Sequence, residues 1–142
     1  MGKSTEDLQS ELTKAQSYDE FYNKNTSEIK FPSAVDYLNY LLDLKDITNK
    51  ADFVKKTNLE RTYVYHILNG NKNPGRDKLI ILALAAKANI TETQNLLKYA
   101  GERPLYVRDR RDGLIFYAIE HGKNLDAVSI LLDENNLEIL KW

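Results

Sequence analysis

The sequence predicts an all-α protein built from short helices. Apolar residues recur at intervals of three and four over successive stretches, which is the spacing of one buried helix face. Asn, Gly and Pro residues that cap or end helices separate these stretches. A longer segment that reads helix, turn, helix also occurs twice at a constant offset. The chain has 142 residues and 42% of them are hydrophobic, so we expect one compact domain with an appendage.

Residues 1–32 are predicted to form an N-terminal helical arm and a linker. Ser4 and Asp7 have the spacing of a capping pair and can begin a helix that runs to about Gln16. A small aromatic patch follows that helix and consists of Tyr18, Phe21 and Tyr22. The polar residues 23–27 then indicate a linker, because Asn, Ser and Thr favour turns and loops.

The main domain is predicted over residues 33–105. Ser33 is a suitable N-cap, and the helix behind it should run from about Ala34 to Lys45. The apolar residues of this helix have helical spacing and are Val35, Leu38, Leu41 and Leu42. This face should be buried against the helices that follow.

Residues 49–74 are predicted to form two short helices joined by a tight turn. Asn49 can cap the first helix, and Asp52 stands three positions later. The apolar side of that helix comprises Phe53 and Val54. Asn58 is predicted to break the helix, because asparagine is one of the few non-glycine residues that tolerate a left-handed backbone.

The second of these helices is predicted from about Arg61 to Leu68. Its apolar residues again have helical spacing and should face a core; they are Val64, Ile67 and Leu68. Gly70 can terminate the helix, and Pro74 prevents it from continuing. We therefore expect a short helix with an exposed start and a sharply defined end.

These residues resemble the helix-turn-helix of the lambda-repressor-like family, the Cro/C1-type or XRE DNA-binding domains. The resemblance is carried by Val64, Ile67 and residues 69–74. It implies a five-helix DNA-binding domain over residues 33–105. It also implies a transcriptional regulator that inserts the helix from about Arg61 into the major groove of double-stranded DNA.

The resemblance assigns roles to individual positions. The positions of the base readers are Arg61, Thr62 and His66. An arginine at the start of the helix can bond two acceptors on a guanine edge. Contacts to the DNA backbone would come from Lys50, Lys55, Lys56, Asn71 and Lys72. Such contacts fix the position of the helix without reading sequence.

A second interpretation is a protein-interaction module that keeps this fold and has lost DNA binding. Glu60 stands where the family usually has Ser or Thr, and its carboxylate repels phosphate. Tyr63 and Tyr65 are bulkier than the family norm and would then contact a protein partner. The family usually has Gln, Ala and Gly at three other positions, which are here Lys50, Val54 and Asn58.

An internal repeat follows the two-helix motif. Residues 76–105 align without gaps with residues 111–140, at an offset of 35 throughout. The identical pairs include Arg76/Arg111, Asp77/Asp112, Ala83/Ala118, Asn89/Asn124 and Leu105/Leu140. Each copy predicts a helix, a turn and a second helix, with Thr91 and Asp126 as caps of the second helices. Units of this length commonly stack, so residues 106–142 should pack on the main domain as a C-terminal extension.

The C-terminal extension carries more apolar surface than one helix pair hides by itself. Its apolar residues are Leu114, Ile115, Phe116, Ile119, Val128, Leu131 and Leu132. Part of this surface should cover the first copy of the repeat. The remainder could form the seam of a homodimer or a groove for a protein partner, and an intramolecular cap is an equally open outcome. The charged residues 108–112 between the copies are predicted to be solvated.

Composition limits the functions that the chain can have. The net charge is −1, so the chain is not a generally basic nucleic-acid binder, although residues 46–78 hold seven Lys or Arg against four Asp or Glu. The absence of cysteine excludes disulfides, thiolate nucleophiles and Cys-ligated zinc. No catalytic motif or metal-ligand spacing occurs, so we expect no enzyme, no metal and no cofactor. We expect a cytoplasmic protein without a signal peptide or membrane segment.

Overall fold

The computed structural model describes residues 2–25 and 31–141. Within these ranges the chain is all-α, with nine helices and no strand, as the sequence predicts. The helices are α1 (Thr5–Lys14), α2 (Tyr18–Lys24), α3 (Ala34–Leu44), α4 (Lys50–Thr57), α5 (Arg61–Leu68), α6 (Arg76–Ala85), α7 (Ile90–Tyr99), α8 (Arg110–Glu120) and α9 (Leu125–Glu134). The chain divides into two compact units, Met1–Phe31 and Pro32–Trp142. Among the described helices, none is both long and apolar enough to cross a membrane.

The first unit consists of α1 and α2. Ser4 begins α1 as predicted, because its hydroxyl accepts a hydrogen bond from the Asp7 backbone N–H at 3.0 Å. The helix ends at Lys14, slightly before the predicted end. The side-chain amide of Asn25 donates to the Glu11 carboxylate at 2.8 Å, which joins the end of α2 to α1.

Helix α2 corrects the prediction for residues 18–27. The Ser17 hydroxyl caps it by accepting from the Glu20 backbone N–H at 3.2 Å. Residues 23–24 form its last turn and do not belong to a linker, while residues 26–27 lie outside the described residues. The sequence did not indicate this helix, because seven residues are too few for an apolar repeat to become visible.

The second unit is built around α6. Residues 79–85 of this helix are all buried, so apolar side chains surround it on every side. Helix α4 packs on α6, α3 packs on α7, and α5 contacts both α3 and α4. Fully buried side chains from all five helices form the core and include Leu38, Leu41, Phe53, Ile67, Ile80, Leu82 and Leu97. Each such side chain contributes about 1.5–3 kcal/mol of stabilisation by leaving water.

The structure confirms the predicted pair of short helices, α4 and α5. The Asn49 side chain accepts from the Asp52 backbone N–H at 3.2 Å and so begins α4. Asn58 ends α4 with φ 56°, in the left-handed region that asparagine tolerates. The Thr57 hydroxyl accepts from the Leu59 backbone N–H at 3.1 Å, which fixes the path of the turn into α5.

The sequence repeat is also a structural repeat, with α6 and α7 in the first copy and α8 and α9 in the second. Left-handed residues recur 35 positions apart in both copies. Lys87 and Gly122 end the first helix of each copy with φ 56° and 67°. Gly101 and Asn136 end the second helix of each copy with φ 73° and 58°. The two copies therefore share their turn geometry as well as their sequence.

The caps of α7 and α9 lie two residues before the predicted ones. Asn89 and Asn124 begin these helices, and each side chain accepts from the backbone N–H three positions later, at 2.8 and 2.9 Å. Thr91 and Asp126 lie within the first turn instead. The prediction was wrong because an asparagine caps a helix as well as serine or aspartate does, and this asparagine is identical in both copies.

Two Arg–Asp ion pairs join the copies reciprocally. Arg76 of the first copy donates to both oxygens of Asp112 in the second, at 2.9 and 2.8 Å. Arg111 of the second copy donates to both oxygens of Asp77 in the first, at 3.1 and 3.0 Å. Because equivalent residues exchange roles across the contact, an internal two-fold axis relates the copies. Helices α8 and α9 pack on α6 and α7, and repeats stacked in one direction would lack the reciprocal exchange.

Backbone hydrogen bonds around these ion pairs follow the same two-fold relationship. The guanidinium groups donate to equivalent carbonyls, those of Arg103 and Pro104 for Arg76 and those of Glu138 and Ile139 for Arg111. Asp112 accepts from the Tyr106 N–H at 3.0 Å, and Asp77 accepts from the Lys141 N–H at 3.1 Å. The predicted solvated connector at residues 108–112 is thus corrected at Asp112, which is 1% exposed and holds the copies together, whereas residues 108–110 are exposed as predicted.

Candidate nucleic-acid interface

Helix α5 packs one side against the core and leaves the other side open to solvent. The buried residues are Val64, Ile67 and Leu68, at 0%, 0% and 6% exposure. Arg61, Thr62 and His66 are exposed. The three predicted base readers therefore lie together on the side of α5 that faces away from the core, two of them in its first turn.

Two cations lie over two tyrosines on α5. The Arg61 guanidinium carbon is 5.5 Å from the centroid of the Tyr65 ring, one turn along the same helix. The Lys78 ammonium, which comes from α6, is 5.6 Å from the centroid of the Tyr63 ring. Each contact of this kind contributes about 0.5–1 kcal/mol at an exposed site. The half-buried tyrosines thus act as platforms that hold positive charge beside α5.

Lys78 is a candidate contact residue that sequence reasoning did not single out. Its place beside Tyr63 depends on how α6 lies relative to α5, and no local pattern reports that relationship. The available signal was its position inside the locally basic residues 46–78. The neighbouring Arg76 and Asp77 belong to the same basic stretch, but both are used in the ion pairs between the copies.

Glu60 caps the start of α5, and its carboxylate is hydrogen-bonded to the backbone of that helix. Its carboxylate accepts from the Thr62 N–H at 3.0 Å and from the Tyr63 N–H at 2.8 Å. These backbone hydrogen bonds lower the pKa of Glu60, and the nearby His66 adds a smaller effect in the same direction. The carboxylate is therefore ionised at neutral pH and neutralises the helix N-terminus, where a DNA phosphate could otherwise bind.

The segment after α5 presents further polar groups. Gly70 adopts φ 81°, a left-handed conformation that glycine accepts without strain. The Asn71 backbone N–H donates to the His66 carbonyl at 2.8 Å, which holds the segment against the end of α5. The side chains of Asn71 and Lys72 are exposed just beyond this bond. Both residues are among the predicted contacts to the DNA backbone.

The lysines of α4 that are predicted to contact the DNA backbone lie at two separate positions. Lys50 is exposed in the first turn of α4. Lys55 and Lys56 line a groove of about 710 Å³ between the end of α4, the α6–α7 turn and the α8–α9 turn. Lys87 and Lys123 line the same groove. The lining includes no residue of α5, so Lys55 and Lys56 are not grouped with the predicted base readers.

The candidate interface therefore comprises the open side of α5, Lys78 beside it, and the segment that follows α5. Two of its cations, Arg61 and Lys78, lie over aromatic rings and are not paired with carboxylates in any ion pair found among residues 31–141. Comparisons of the chain with protein-family models, with curated proteins and with solved structures gave no match.

Proposed function

We propose that this chain is a sequence-specific DNA-binding regulator whose helices α3–α7 form a lambda-repressor-like domain. The observation that carries the proposal is the exposed side of α5, where Arg61, Thr62 and His66 lie opposite a fully packed core side. A preceding short helix and a left-handed turn at Asn58 support the same geometry. A helix presented in this way can enter the major groove with its first turn against the base edges.

In this proposal Arg61 is the main specificity residue. Its guanidinium can donate to two acceptors on a guanine edge, and stacking on Tyr65 limits the directions in which it points. Thr62 and His66 would meet adjacent bases from the same side of α5. A side chain that is held in position before binding loses less conformational entropy in the complex.

Contacts to phosphates would set the position of α5 in the groove. The donors to phosphate oxygens would be Lys78, which lies beside α5, and the exposed Lys50, Asn71 and Lys72 on the segments before and after it. Lys55 and Lys56 would assist if the DNA extends towards the groove that they line. Each phosphate neutralised by a cation adds about 0.9 to the slope of log affinity against log salt concentration.

The test compares Arg61→Ala with Lys72→Ala on a selected duplex and on random duplex at two salt concentrations. Arg61→Ala should cost roughly 1–3 kcal/mol on the selected duplex and little on random duplex. Lys72→Ala should weaken binding to both and reduce the salt slope by about one. Lys98→Ala, an exposed lysine on α7, is a control for the loss of one charge. Wild-type protein without salt-dependent DNA binding would overturn the proposal.

The alternative is a protein-interaction module with the same fold, and Glu60 is the observation that favours it. An ionised carboxylate at the start of α5 opposes the approach of phosphate. Tyr63 and Tyr65 would then serve as apolar contact surface for a protein partner. Substituting both tyrosines by alanine should abolish partner binding in this case. The DNA-binding proposal instead predicts that this double variant still binds random duplex.

A homodimer through the C-terminal pair α8–α9 would bring two copies of α5 to a palindromic site. The innermost apolar residues of this pair are not available for such a seam, whereas five large apolar side chains among residues 106–141 are exposed. Ile115, Val128 and Leu132 are completely buried within the chain, while Tyr117 and Ile130 are 55% and 57% exposed. The fully buried residues support the intramolecular use of the C-terminal pair.

A further inference from the structure

The internal two-fold axis relates two helix pairs that differ in the helices packed on them. Within residues 32–141, α3 and α4 pack on the first copy, α6–α7, with α5 against them, and no equivalent helices of this unit pack on α8–α9. Equivalent positions record this difference. Leu82 is completely buried in the first copy, whereas its counterpart Tyr117 is 55% exposed in the second. Asn95 faces α3, because its amide bonds the Tyr37 hydroxyl, whereas its counterpart Ile130 is 57% exposed.

A contact in which equivalent residues exchange roles is the kind that two copies of one protein make in a symmetric dimer. Arg76 and Asp77 of one partner would meet Asp77 and Arg76 of the other. Here the second arginine and aspartate are Arg111 and Asp112 of the same chain. The surface that a partner chain would need on α6–α7 is therefore already covered from within.

We propose that one chain, acting as a monomer, reads a single asymmetric half-site in DNA. The inference rests on the proposed function, because it concerns the class of DNA that α5 recognises. A symmetric dimer presents two recognition helices about one helical turn apart and therefore selects inverted repeats. This chain contains both helix pairs of the symmetric contact, α6–α7 and α8–α9. Only the first pair carries a recognition helix, α5. The target lacks an inverted repeat, and the bases that it specifies fall within about one helical turn, or about 10 base pairs.

The experiment selects duplexes from a random library with the full chain and then measures the mass of the complex. Sedimentation of the free protein over a wide concentration range gives the number of chains in solution. Sedimentation of the protein on the selected duplex gives the number of chains per DNA. The variant Arg61→Ala undergoes the same selection, because it tests whether α5 is the element that reads the site.

The expected result is a monomer at all concentrations, one chain per duplex, and a selected sequence without two-fold symmetry that Arg61→Ala fails to enrich. Two chains on an inverted repeat would overturn this inference and leave the proposed function intact. A selected sequence that Arg61→Ala enriches equally well would overturn the assignment of the site to α5. The absence of any salt-dependent DNA binding would overturn the proposed function and this inference with it.

Discussion

The guanidinium of Arg76 binds both carboxylate oxygens of Asp112 across the boundary between the two helix pairs, at 2.9 and 2.8 Å. The Asp112 side chain is 2% exposed and the Arg76 side chain is 15% exposed. A bidentate pair of this kind has favourable geometry, and the backbone N–H of Tyr106 satisfies a further acceptor site of the carboxylate. The two-fold equivalent, Arg111 with Asp77, is more open to solvent.

Removing the buried carboxylate should therefore cost more than removing its equivalent. We expect Asp112→Asn to lower the free energy of unfolding by about 3 kcal/mol, because it leaves the largely buried Arg76 charge without its ionised partner. Asp77→Asn is the matched control, since that side chain is 22% exposed and water can replace part of what is lost. Its expected cost is about 1–2 kcal/mol. Urea unfolding of both variants measures the difference, and equal losses would contradict the account.

Stability should depend on pH through the same two carboxylates. Burial raises the pKa of Asp112, but hydrogen bonds from Arg76 and the Tyr106 N–H outweigh it, so the net pKa lies below its ordinary value. Burial, Arg111 and the Lys141 N–H act on the pKa of Asp77 in the same way. A lowered pKa in the folded state means that the stabilisation is complete above the unfolded value of about 3.9.

The free energy of unfolding should then fall as the pH decreases from about 5 through the lowered pKa values of the folded state. The double variant Asp77→Asn with Asp112→Asn should show a shallower decrease over this range, because neither position can take up a proton on unfolding. Unfolding by urea at a series of pH values provides the measurement. Parallel curves for the wild type and the double variant would show that other carboxylates cause acid unfolding.

Glu60→Gln should separate the stability of α5 from its use as a DNA contact. The amide can replace one of the two hydrogen bonds that the carboxylate accepts, so the melting temperature should decrease slightly. Removing the negative charge should strengthen binding to selected and random duplex alike, because phosphate repulsion does not depend on base sequence. Glu134→Gln, an exposed carboxylate at the end of α9, is the control. Weaker DNA binding by Glu60→Gln at unchanged fold would contradict the proposed interface.

The two copies of the repeat provide a matched test of backbone conformation. Lys87 and Gly122 hold equivalent left-handed positions, with φ 56° and 67°. A side chain there costs roughly 1–2 kcal/mol, so Gly122→Ala should destabilise the protein by about 1 kcal/mol. No atom lies within 4 Å of the Cβ that this substitution adds, so the loss reports the backbone alone. Lys87→Gly should stabilise by about 0.5 kcal/mol once the entropy of glycine is included. Thermal unfolding of both variants measures these changes.

Much of the helical pattern could be predicted from the sequence because its signals are local. Caps at Ser33 and Asn49, the left-handed Asn58 and the apolar spacing of α5 are readable within a few residues. The gapless repeat was visible, but its symmetry was not. A constant offset of 35 is equally compatible with stacking and with a two-fold axis. The reciprocal pairing of Arg76 with Asp112 and of Arg111 with Asp77 distinguishes them.

The candidate interface was predicted in part for the same reason. Exposure of Arg61, Thr62 and His66 follows from the helical spacing of their buried neighbours. The approach of Lys78 to Tyr63 and the separation of Lys55 from α5 depend on packing between helices, which periodicity within one helix does not report. Asp112 illustrates the limit most clearly, because a charged residue in a charged connector gives no sign of being buried.

The ten residues that connect α7 to α8, residues 100–109, determine how occupancy of DNA depends on protein concentration. A symmetric dimer held together by non-covalent contacts dissociates on dilution, so its occupancy at low concentration falls faster than the concentration itself. The second helix pair of this chain is tethered beside the first at an effective concentration in the millimolar range. The paired arrangement therefore stays intact at any dilution, and occupancy of a site should rise in simple proportion to the number of chains.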